Sequence, residues 1–76
     1  MKQRSSRRYG QLRAILKAAR VEAGLTQRQL SARLRRDKNF VQVVESGERA
    51  LDVVEYLQYA KALRVDPLEA LAKLLT

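Results

Sequence analysis

What most constrains this chain is how closely its helix stop and start signals follow one another. Gly24 suits a left-handed C-cap, and Thr26 with Gln29 three residues later forms a capping-box pattern. Asp37 can cap a further helix that Gly47 closes. Asp52 and Glu55 repeat the capping box, and Pro67 behind Asp66 fits a first helical position. Between these signals apolar residues recur at steps of three and four. Tyr9, Leu12, Leu16, Ala19 and Ala23 mark a first helix, and Leu30 and Leu34 a second over 26–34. Val41 and Val44, with Phe40 and Val43 beside them, mark a third over 38–46. Val53, Val54, Leu57, Ala60 and Leu63 supply the buried stripe of a fourth, and Leu68, Leu71, Ala72 and Leu75 line a fifth. The predicted class is all-α, five short helices with tight connections, and no stretch alternates with the period of a strand.

The 76 residues make one domain, 9–76, behind a flexible basic arm over 1–8. A chain this short buries a modest share of its surface. Without cysteine or histidine it has neither a disulfide nor a plausible metal cluster to compensate. A helical core, extended by dimerisation, has to supply the stability. No cofactor is implied. Catalysis is not expected either, because there is no acid/base motif and no phosphate-cradling glycine loop. No apolar run approaches the ~20 residues that span a bilayer. The basic N-terminus lacks the apolar segment of an export signal, so a cytoplasmic location is expected.

The formal charge is +8 and unevenly placed. Met1 to Lys38 holds twelve basic and two acidic residues, a net of +10, while Asn39 to Thr76 holds four and six, a net of −2. Such asymmetry gives a cationic face suited to a polyanion. Charge alone narrows the class of partner without naming it.

The second and third helices are joined by a turn of about three residues, so they cross steeply. Ser31 and Ala32 are small enough for the crossing, and Leu30, Leu34, Val41 and Val44 anchor it. Pointing outward from the third helix are Lys38, Asn39 and Gln42. Asn and Gln match the adenine edge, and Lys matches guanine O6 and N7.

These segments resemble a known family, the phage Cro and repressor type of helix-turn-helix, also called XRE-like, with a lambda-repressor-like fold. Gly24-Leu25-Thr26-Gln27-Arg28-Gln29-Leu30 is similar to its GLTQxxL opening. Val41 to Gly47, with Glu48-Arg49, is similar to its VxxxExGxR close, and Val53 to Pro67 to its fourth helix and ALxVDP ending. The resemblance runs from about Leu12 to Leu71. It implies a transcriptional regulator, probing double-stranded DNA with the third helix in the major groove and the second against the backbone. It further implies base reading by Lys38, Asn39, Gln42 and Val43, the last through a thymine methyl. Gln27, Arg28 and Arg49 take phosphate positions, and Arg20 with Glu45 forms an internal salt bridge. Arg35 stands where the family usually has glycine, and Arg36 where it has an apolar or small residue. A left-handed Arg35 is strained by about 1 kcal/mol, and both arginines suit phosphate contacts.

Several residues keep two readings. Arg4, Arg7 and Arg8 form either a tail without a role or an arm for the minor groove or backbone. Tyr9, Tyr56 and Tyr59 read as core or interface, and Phe40 as packing beneath the recognition helix. Leu68, Leu71, Leu74 and Leu75 exceed one face, so they either fold back on the core or form a dimer seam on a near-palindromic operator. An antitoxin-type autoregulator that also binds a partner protein such as a toxin would carry the same element. So would an interaction adaptor that kept the fold without DNA binding.

Overall fold

The computed structural model describes residues 6–76. Helix α1 spans Arg7–Glu22, α2 Gln27–Arg33, α3 Phe40–Glu45, α4 Val53–Leu63 and α5 Pro67–Ala72, followed by a 3-10 turn over Lys73–Leu75. The described residues contain no strand. No helix among them is long and apolar enough to cross a membrane.

Helix ends fall where short polar side chains can satisfy orphan amides. Thr26 Oγ1 accepts from Gln29 N at 3.0 Å while Gln29 Oε1 accepts from Thr26 N at 2.9 Å. Asp52 and Glu55 do the same at 2.7 and 3.0 Å, and Asp66 accepts from Leu68 N and Glu69 N ahead of Pro67. Gly24 and Gly47 adopt the left-handed conformation that ends a helix, at φ 76° and 88°.

Two starts differ from expectation. Ser6 Oγ accepts from Tyr9 N, so α1 begins at Arg7 rather than Tyr9, and Arg7 and Arg8 lie in its first turn instead of in the arm. Residues 1–5 of that arm, Arg4 included, lie outside the described residues. The third helix begins at Phe40 rather than Lys38. Asp37 still organises its entry: Oδ1 accepts from Asn39 N and the carbonyl from Phe40 N, both at 2.9 Å, so Lys38 and Asn39 form a turn leading into the helix.

The core gathers Leu12 and Leu16 from α1, Leu30 from α2, Phe40, Val41 and Val44 from α3, and Tyr56, Tyr59 and Leu63 from α4. Ala23, expected on the inner face of α1, is its exposed C-cap. Helix α4 is rotated relative to the stripe read from its sequence. Val53, Val54 and Leu57 are exposed, and Tyr56, Tyr59, Ala60 and Leu63 face inward. Two tyrosines bury more apolar area than two valines, and Tyr56 satisfies its hydroxyl by donating to Pro67 O at 2.7 Å. In α5 the inner residue is Ala70, with Leu74 packed on the core beyond it; Ala72 is exposed. Tyr9, half-buried, accepts from Leu51 N through its hydroxyl at 2.6 Å, pinning the start of α1 to the α3–α4 loop.

Candidate nucleic-acid interface

The joint between α2 and α3 is made by Ser31, which is fully buried. Its hydroxyl donates to Gln27 O at 2.9 Å and accepts from Val41 N at 3.1 Å. One side chain thereby satisfies an orphan amide in the first turn of α3 and fixes its crossing over α2. Ala32, expected beside it at the crossing, is exposed. The turn carries Arg35 in the left-handed conformation at φ 57°, with Arg35 N bonded to Ala32 O and Arg36 N to Ser31 O.

A second tie runs from α1 to α3. Arg20 Nε and a terminal nitrogen donate to the two oxygens of Glu45 at 2.7 and 3.1 Å, and its other terminal nitrogen donates to Leu25 O at 2.7 Å. The pair is buried, at 10% and 6% side-chain exposure. The hydrogen bond to Glu45 holds the Arg20 guanidinium above its ordinary pKa against the opposing effect of burial. Gln27 Nε2 also donates to Glu45 at 2.9 Å, which leaves one N–H of that amide for another acceptor.

With its inner face tied down, α3 presents its leading edge to solvent. Lys38 and Asn39 are exposed in the entry turn, Gln42 is exposed one turn on, and Val43 is half-buried. Arg28 is exposed on α2, and Arg35 lies against a cleft of about 540 Å³ that Arg33, Lys61 and Arg64 also line.

Arg36 and Arg49 are drawn together. Arg49 donates from both terminal nitrogens to Glu55 at 2.9 and 2.7 Å, and Arg36 donates to the same carboxylate at 3.0 Å. Both guanidiniums lie over the Phe40 ring, 4.1 Å (Arg36) and 5.1 Å (Arg49) from its centroid, within cation–π range. Hydrogen bonding from Arg49, then the Asp52 amide and Arg36, outweighs burial and holds the Glu55 carboxyl at a pKa of about 2. Reciprocally, the Glu55 bond raises Arg49.

Two of these joints went unrecognised in the sequence. Ser31 was visible as a small residue, and Glu55 as half of a capping box. The second role of each depends on groups ten or more residues away, Val41 for Ser31 and Arg36 for Glu55. Among the described residues no cluster of His, Cys, Asp or Glu could hold a metal.

Two helices locked at a short turn, the second with an exposed polar edge, define a helix-turn-helix domain of the DNA-binding class. A model of the helix-turn-helix domain family matches residues 11–74, and the chain belongs to that family, in its XRE-like branch. Among solved structures, an XRE-family like protein from Pseudomonas syringae pv. tomato str. DC3000 is 43% identical. The match covers 90% of this chain and 83% of that one at a TM-score of 0.85. No curated protein matches.

Proposed function

We propose that the chain is a sequence-specific transcriptional regulator that reads the major groove of double-stranded DNA as a homodimer on a near-palindromic operator. The observation that carries this reading is the exposed edge of Lys38, Asn39 and Gln42 in front of an α2–α3 unit tied by Ser31 and by Arg20–Glu45. Lys38 and Asn39 meet base edges, Gln42 and Val43 follow along the groove, and Gln27, Arg28, Arg35, Arg36 and Arg49 take phosphates. The protein works by binding, in the cytoplasm, without a cofactor.

The homodimer rests on α5. Leu68, Leu71 and Leu75 are 76%, 38% and 77% exposed, whereas Leu74 turns into its own core. Three leucines on so short a segment suit a self-complementary contact across a two-fold axis. The same surface would serve the second reading, an autoregulatory antitoxin whose α5 takes a partner protein.

Selection of bound duplexes from a randomised library tests the function directly. The expected product is two inverted half-sites about 34 Å apart. Log affinity should fall with log salt at a slope of about −5 to −7 for three or four phosphates per subunit. A library that returns no enriched sequence, or a slope near zero, would remove the reading. A light-scattering mass of one subunit on such a site would remove the dimer alone.

A further inference from the structure

Glu55 is an acidic residue set between two arginines that the DNA-binding reading assigns to phosphate, and the way it is set is informative. Its side chain is 12% exposed, beneath Arg36 at 35% and Arg49 at 40%. The anion therefore faces inward and the cations outward. The carboxylate also accepts from Asp52 N at the head of α4. Both arginines rest on Phe40, the first residue of α3, directly behind Lys38 and Asn39. One carboxylate thus ties the α2–α3 turn, the entry of the recognition helix, the α3–α4 loop and α4 into a single unit of net charge +1.

We infer that Glu55 is a positioning residue of the DNA interface, holding the Arg36 and Arg49 guanidiniums in place over Phe40 so that they meet phosphate already ordered. The inference rests on the DNA-binding reading above. On charge alone a carboxylate beside DNA weakens binding. Placement acts in the opposite direction, because two long side chains fixed in advance lose less freedom when the duplex arrives. The arginines keep donors for the phosphate: Arg36 uses one terminal nitrogen on Glu55, and its Nε and other terminal nitrogen have no hydrogen-bond partner among the described residues.

The two accounts predict opposite signs for one substitution. Glu55→Gln removes the charge and keeps an amide oxygen for the Asp52 amide. Positioning predicts that it binds a library-selected duplex about tenfold more weakly than wild type, with the salt slope unchanged. Glu48→Gln, at an exposed carboxylate of the α3–α4 loop bonded to Ser46, is the charge-matched control and should bind as tightly as wild type or tighter. Glu55→Asp keeps the charge but shortens the reach. It should also weaken binding, and it carries the test if Glu55→Gln fails to give a cooperative melt. Terminal Nη–H resonances of Arg36 and Arg49, slowed in wild type by their bonds to Glu55, should broaden in both Glu55 variants. Affinity equal to or above wild type in a folded Glu55 variant overturns the inference and leaves the DNA-binding reading standing. A wild type that selects no duplex removes that reading and the inference together.

Discussion

The Ser31 hydroxyl accepts the backbone N–H of Val41 at 3.1 Å, ten residues along the chain and fully inside the protein. This bond turns two short helices with a crossing into a fixed angle. Ser31→Ala opens almost no cavity but leaves the Val41 amide buried without an acceptor. A loss of about 1–3 kcal/mol in urea unfolding is expected. A change below about 0.5 kcal/mol would mean that water or a shift of α3 satisfies the amide.

Arg35 holds a left-handed conformation at φ 57° in the turn. Arg35→Gly should relieve that strain and stabilise the domain by about 0.5–1 kcal/mol. If the side chain also touches phosphate, the same variant flattens the salt slope by about 1. The two readouts are independent, so a gain in stability without a change in slope assigns Arg35 to the turn alone.

Tyr59 is fully buried, its hydroxyl has no hydrogen-bond partner among the described residues, and burial pushes its pKa up. Tyr59→Phe removes an unsatisfied polar atom and keeps the ring. Thermal unfolding should show equal stability or a gain of up to about 1 kcal/mol. A clear loss would place an ordered water on that hydroxyl.

Acid should remove the stabilisation that the Arg36–Glu55–Arg49 unit contributes. Glu55 titrates at about 2 in the fold and at about 4.3 when unfolded. Its folded pKa is depressed, so its contribution is complete above the unfolded value and is lost as pH falls through the folded one. Because both arginines are more than a third exposed or close to it, that contribution is about 1 kcal/mol. Unfolding free energy measured from pH 5 to pH 2 should fall by that much less in Glu55→Gln than in wild type.

Lys38→Ala and Asn39→Ala should each weaken a selected site by about 1–3 kcal/mol and relax preference at one base pair. Arg49→Ala should weaken selected and mixed-sequence duplexes alike. Equal losses on both duplexes for Asn39→Ala would take it out of the base-reading set.

What the sequence made legible was local. Thr26–Gln29 and Asp52–Glu55 are pairs three residues apart, and each formed the reciprocal box its spacing predicts. Arg20–Glu45 followed from the family resemblance, since nothing in spacing links residues 25 apart. The rotation of α4 was not legible. Ala60 and Leu63 are buried as expected, but helical periodicity permits either Val53 and Leu57 or Tyr56 and Tyr59 beside them, and the choice was made by the tyrosine rings and by Pro67 O, a partner from the next helix. The start of α3 was displaced for a related reason: Asp37 caps a turn and not the helix, whose N-cap is Asn39 without a side-chain bond.

Helices α2 and α3 contain seven and six residues, well short of the dozen or so that hold a helix in water unaided. A synthetic peptide spanning both would be a disordered chain, with no groove-reading shape to offer. Under the proposed function, binding of DNA is therefore tied to global folding: truncation of the core residues Leu16 or Leu63 should weaken it although neither side chain lies at the exposed edge of α3.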